Sequence, residues 1–201
     1  MSDRNTINVY NREAGRYAEL TDAHNAEDPR LAKFIAQIPP QGSVLDLGCG
    51  PGVSAAAMAR AGLSVDAIDA SPEMIKLAGL HAGVTARLAS FDDIRGGASY
   101  DGIWANFSLL HAPANEFPSH LSAIRQALKP SGIFFIGMKL GSGEGPDRLG
   151  RYYSYYKQDE LEAILKDAGF FVVERVTGRG TGLDGSVSDW ISIFARVADR
   201  A

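Results

Sequence analysis

Cysteine is nearly absent: Cys49 stands alone in 201 residues. That excludes an internal disulfide and leaves no ligand set for a cysteine-built metal site, so no metal is expected. No apolar run approaches the roughly 20 residues that a membrane-spanning helix needs. The first stretch, MSDRNTINVYNREAG, also has no apolar core of the kind a secretory leader carries. The expectation is a cytoplasmic protein with no membrane segment. Positive charge is short as well, with 20 Lys and Arg against 24 Asp and Glu and a net charge of −4. A nucleic-acid surface ordinarily needs a basic face, so the expected partner is a small molecule. Internal repeats and low-complexity linkers are missing too. A hydrophobic content of 45% over this length suits one sizeable core. One domain over 1–201 is expected, with 1–40 as a helical cap on a core of 41–201.

What is present is organised around Val44-Leu45-Asp46-Leu47-Gly48-Cys49-Gly50-Pro51-Gly52. Val44, Leu45 and Leu47 suit a buried strand, and the glycines permit a tight turn and close approach of a ligand. Helix-forming residues resume at Val53, so the pattern reads strand, turn, helix, with turn amides converging just beyond the strand. Dinucleotide sites carry G-x-G-x-x-G, whereas here the third glycine comes one residue early and Val53 takes its place. Asp46 would repel a diphosphate and attract an ammonium group. The turn favours a zwitterionic or cationic ligand. Cys49 reads as a small residue fitted to a crowded turn.

The strand Ser64–Asp69 ends in an acid 21 residues after Gly48, where a carboxylate can accept from both hydroxyls of a ribose. Ser71-Pro72 then supplies an N-cap and a first-turn proline. With the strand Tyr100–Asn106 and the turn Leu128-Lys129-Pro130-Ser131-Gly132, the stretch from about 40 to 140 resembles the class I S-adenosylmethionine-dependent methyltransferases. The resemblance implies an α/β doubly wound fold, with a mostly parallel seven-stranded sheet, an antiparallel last strand and helices on both faces. It implies S-adenosyl-L-methionine as cofactor and methyl transfer to a small-molecule acceptor. Two other readings remain: a cofactor-binding regulatory module without turnover, and a nucleotide-dependent oxidoreductase.

The cofactor-binding residues implied are Tyr17, Asp46, Gly48, Cys49, Gly50, Gly52, Asp69, Ala70, Met74, Phe91, Asp92 and Asn106. Gly50 is expected to lie against the cofactor. Asp46 is expected to orient the turn or to meet the ammonium group through water. In the family an acid after the third strand, Val84–Leu88, meets the adenine edge; the resemblance points to Asp92, with Phe91 beside it, ahead of Asp93, and helix capping is the competing role for either. Tyr10, Arg16 and Tyr17 resemble a lead-in that covers the cofactor, or are ordinary amphipathic-helix residues. Phe107 and Ser108 stand where base-amine methyltransferases carry prolines, which disfavours base methylation.

His111 and Tyr153 are the weak catalytic candidates, His111 as a general base or as a structural histidine. The segment from Gly141 to Tyr156 reads as a mobile glycine-rich loop. Its tyrosines either pack on the last helix and strands or, with Arg148 or Arg151, close over the acceptor. Leu31, Phe34, Ile35 and Ile38 form the apolar face of a helix ahead of the first strand. A helix over 115–128 leads into the run Ile133–Met138, which suits a strand covered on both faces. A helix from Gln158 to Ala168 follows, and two final strands, Phe170–Thr177 and Trp190–Val197, should pair antiparallel.

Overall fold

The computed structural model describes residues 3–25 and 28–197. Five strands alternate with helices as the periodicity indicates: β1 (Ser43–Leu47), β2 (Ser64–Asp69), β3 (Val84–Leu88), β4 (Tyr100–Asn106) and β5 (Leu128–Lys139). Two further strands, β8 (Phe170–Thr181) and β9 (Val187–Val197), complete a seven-stranded sheet of order β3-β2-β1-β4-β5-β9-β8. β9 runs antiparallel to both of its neighbours, and the other pairings are parallel.

Alternation along the central strands divides the core in two. Leu45, Leu47, Phe134 and Ile136 face a cluster closed by Phe117, Leu121 and Ile124 of α5 (Phe117–Ala127) and Leu161 and Leu165 of α6 (Gln158–Asp167). Val44, Ile133 and Phe135 face the opposite cluster. Leu31 and Phe34 of α2 (Pro29–Ile35), Met58 of α3 (Val53–Arg60) and Ala78 of α4 (Pro72–Ala78) close that side. There Trp104 stacks on Phe135 with ring centroids 3.7 Å apart. Gly102 of β4 admits this packing, because a Cβ would stand 2.6 Å from Phe34 Cζ.

Two elements depart from the sequence reading. α5 stops at Ala127, and Leu128 already pairs with Tyr100, so the expected Lys-Pro-Ser-Gly turn is an irregular start to β5 with Ser131 at φ 62°. The expected mobile loop is a hairpin, β6 (Glu144–Pro146) paired antiparallel with β7 (Tyr152–Ser154). Asp147 builds its turn. Oδ1 accepts from the Leu149 and Arg151 amides at 2.9 Å each, and Oδ2 accepts from Arg151 Nε at 2.9 Å and Nη2 at 2.6 Å. An aspartate that organises its own backbone is hard to recognise among glycines.

The first helix, α1 (Arg4–Asn25), lies across the carboxyl ends of the strands. Asn11 accepts from Ser71 Oγ at 2.7 Å, and Thr6 Oγ1 accepts from the Tyr152 amide at 2.8 Å. Among the described residues no helix is long and apolar enough to cross a membrane.

Candidate functional site

The turn after β1 consumes its own amides. Gly48 and Cys49 donate to the Ile68 carbonyl at 2.8 and 2.9 Å, Gly50 donates to Asp69 Oδ2 at 2.9 Å, and Gly52 donates to the Cys49 carbonyl at 3.0 Å. A phosphate nest needs such amides free. What faces the cavity is instead acceptors. Asp69 uses one lone pair of each oxygen, on Gly50 and on the Ser71 amide at 2.8 Å, and keeps others for ligand donors. Burial raises its carboxyl above the usual range, and the Ser71, Gly50 and Ala70 amides oppose that rise. Asn106 Oδ1, at the end of β4, is buried with no hydrogen-bond partner.

This first cavity is lined by Gly48, Gly50, Ile68, Asp69, Ala70, Ser71 and Met74, by Ala89, Ser90 and Phe91, and by Asn106 to Ser108 with His111. Thr6, Ile7, Tyr10 and Tyr17 of α1 close it. A polar end of acceptors and an apolar end of Met74, Ile68 and Phe91 suit a nucleoside that carries an amino-acid tail. The three glycines have separate reasons. Gly48 packs on Ser108, whose Cβ would stand 2.3 Å from an added Cβ. Gly52, at φ +87°, packs on Ala78 at 2.8 Å. Gly50 lines the cavity without such packing, since an added Cβ would meet only Tyr17 Cε1, at 3.5 Å.

Of the residues expected at the cofactor, eight line this cavity: Tyr17, Gly48, Gly50, Asp69, Ala70, Met74, Phe91 and Asn106. Four lie outside it. Gly52 is a packing glycine, and Cys49 turns into the core, where burial raises its thiol pKa. Asp46 lies behind the turn, accepting from the Ala55 amide of α3, with Oδ2 unpartnered; burial pushes its carboxyl up to about 7. Asp92 is displaced because Ser90 and Asp93 form a capping box that turns the chain. Its Oδ1 instead lies 4.0 Å from His120 Nδ1. Arg16 points away and pairs with Glu13 at 3.6 Å.

His111 follows β4 in a short 3₁₀ turn, 7% exposed. Its Nδ1 lies 2.6 Å from the Tyr152 carbonyl, which can only accept, so the proton sits on Nδ1. Nε2 therefore accepts from the Tyr10 hydroxyl at 2.8 Å, and that hydroxyl accepts in turn from Arg151 Nη1 at 3.1 Å. Burial lowers the histidine to about 4, helped by the charges of Arg151 and Lys139 and opposed by the Tyr152 carbonyl and Asp147. Tyr10 gave no signal of this role beyond its spacing from Tyr17.

A second, larger cavity adjoins the first. Tyr10, Tyr17, Leu20, Thr21, Arg30, Phe107, Leu110, Lys139, Arg151, Tyr153, Leu183 and Trp190 are among its walls. The hairpin tyrosines divide between the two expectations. Tyr156 packs on Phe117, with ring centroids 5.1 Å apart, while Tyr153 and Arg151 reach the cavity. Arg148 does not line it.

Comparison with known proteins agrees with this geometry. Residues 44–132 match the family described as a methyltransferase domain. A ubiquinone biosynthesis O-methyltransferase of Xanthomonas axonopodis pv. citri is 30% identical, the alignment covering 85% of this chain and 84% of the relative. A protein of the same description from Xylella fastidiosa is 33% identical over 88% and 84%. In fold, the chain is similar to Burkholderia thailandensis 1,6-didemethyltoxoflavin-N1-methyltransferase with bound S-adenosylhomocysteine (TM-score 0.77, 24% identity, 97% of this chain and 88% of that one). It is also similar to an S-adenosylmethionine-dependent methyltransferase of Methanosarcina mazei (TM-score 0.72, 17% identity, 85% and 97%). Through these relatives, similar over most of both chains, and through the matching methyltransferase domain, the chain belongs to the class I S-adenosylmethionine-dependent methyltransferases, enzymes that here methylate a small molecule.

Proposed function

We propose that the first cavity holds S-adenosylmethionine, the second receives the acceptor, and an oxygen atom of the acceptor is methylated at the wall the two share. The observation that carries this reading is that Tyr10, Tyr17 and Phe107 line both cavities. Asp69 would hold the ribose hydroxyls and the orphaned Asn106 Oδ1 the ammonium, with Ala70, Met74 and Phe91 against the adenine. Asp46 acts at a distance by fixing the turn through α3. S-adenosylmethionine, when bound, supplies a methyl on a cationic sulfur, so the leaving group needs no protonation.

The oxygen acceptor is supported by the two relatives' description as O-methyltransferases and by the relay at the shared wall. A hydroxyl nucleophile must lose its proton. Tyr10 can take that proton as its own passes to His111 Nε2, and Arg151 steadies the charge on the tyrosine oxygen. Nδ1–H to the Tyr152 carbonyl keeps the imidazole in the tautomer that can accept. Tyr10→Phe and His111→Asn should each lower kcat by about 100-fold or more with an oxygen acceptor, while S-adenosylhomocysteine affinity stays within about 3-fold by calorimetry. Unchanged kcat in both variants would remove the relay.

A further inference from the structure

The second cavity is lined by three cations and no carboxylate, and two of the cations are already neutralised. Asp28 grips Arg30, accepting from Nε at 2.8 Å and Nη2 at 2.6 Å, and the guanidinium lies 4.9 Å over Trp190. Asp147 holds Arg151 through one oxygen, Oδ2 accepting from both Nε and Nη2. Lys139, at the end of β5, has no ion pair among the described residues. Its Nζ sits 4.6 Å over the Tyr153 ring. The carboxylate opposite, Asp184, spends Oδ1 on the Ser186 amide at 3.1 Å and hydroxyl at 2.7 Å.

Gly182 keeps the approach to the ammonium open, since a Cβ there would stand 3.1 Å from Nζ. Burial lowers the pKa of Lys139 and the neighbouring Arg151 charge adds to that, while Asp184 and Asp147 oppose it. A half-buried cation with a ring beneath it and no carboxylate in contact leaves part of its desolvation cost unrecovered, which an incoming anion offsets. Around it the walls are aromatic, with Tyr153 on one side and Phe107 edge-to-face on Trp190, centroids 6.3 Å apart.

We propose that Lys139 docks an anionic group of the acceptor, so that the substrate class is a hydroxylated aromatic carboxylate, its anion on Lys139 and its hydroxyl toward Tyr10. This rests on the reading of the second cavity as the acceptor site. It also links binding to chemistry. Lys139 is one of the charges that depress His111, and an anion on the ammonium cancels that field. The histidine then becomes a stronger proton acceptor when the acceptor is in place.

The test uses the full chain saturated with S-adenosylhomocysteine and calorimetric titration of 4-hydroxybenzoate, 3,4-dihydroxybenzoate and 4-hydroxycinnamate, each against its methyl ester. At least one acid should bind about 10-fold tighter than its ester. Lys139→Met should abolish that preference and Lys139→Glu reverse it, with S-adenosylhomocysteine affinity unchanged in both. Acids and esters binding equally, or a preference that survives in Lys139→Met, would overturn the anion dock while leaving the cavity assignment standing. If no acid or ester binds the loaded enzyme, the cavity assignment falls and the dock with it.

Discussion

The two cavities share a wall but are made from different material. The first is built where consecutive strands end, from the turns after β1, β2, β3 and β4. Its polar surface is set by backbone paths and by one carboxylate held by two amides. The second collects side chains from α1, α2, the end of β5, the hairpin and the β8–β9 turn, segments far apart in the chain. Two of its three cations, Arg30 and Arg151, are positioned by partners behind them, Asp28 and Asp147, and the third, Lys139, stands at the end of β5. A site made of turns is rigid and general, whereas one made of side chains can be rewritten residue by residue. That contrast supports the proposed assignment of the fixed ligand to the first and the variable one to the second.

The sharpest break comes from the glycines. Gly52→Val forces a Cβ to 2.8 Å from the Ala78 backbone at φ +87°, and should cost about 3–5 kcal/mol of stability in chemical denaturation. Gly50→Ala meets no backbone, so the fold should survive with about 1 kcal/mol lost to its φ of +53° while cofactor affinity drops. Equal effects of the two on stability would erase the distinction between a packing glycine and a ligand-facing one.

Next comes Asp69→Ala, expected to weaken S-adenosylhomocysteine binding by about 2–4 kcal/mol, roughly 30- to 1000-fold. Calorimetry on the folded variant reads it directly, and unchanged affinity contradicts the ribose assignment. Acceptor binding to Lys139 should be the less affected of the two.

The smallest effect lies on the shared wall. Burial lowers His111 to about 4 in the folded chain against about 6.5 for a free imidazole, so between those values the unfolded chain binds the extra proton. Its contribution to stability is full above 6.5 and is lost as pH falls, by about 2 kcal/mol at pH 5. Asp46, raised to about 7, works in the opposite sense, so the comparison must be made against His111→Asn. Denaturation of the two proteins at pH 7.5 and 5 should show the smaller loss in the variant.

Legibility in the sequence follows the same division. Strand and helix periods, Ser71-Pro72, the glycine turn and Asp69 are local signals, and the sheet with its reversed last strand follows from them and from the family resemblance. Asp92 lies outside the first cavity because its neighbours Ser90 and Asp93 satisfy each other and turn the chain there. Asp46 reads as a ligand-facing charge, yet strand alternation sends its side chain behind the turn. The His111–Tyr10–Arg151 chain depends on contacts 101 and 141 positions apart in the sequence, which no local pattern encodes.

One helix roofs both cavities. α1 contributes Tyr10 and Tyr17 to each, and is latched to the helix-capping Ser71 on one side and to the hairpin on the other. On the proposed assignment the two ligands share a door. Neither can be exchanged by lifting α1 without opening the other's compartment, so the spent cofactor and the methylated product should leave under one common gating rate, with the same temperature dependence and the same sensitivity to viscosity.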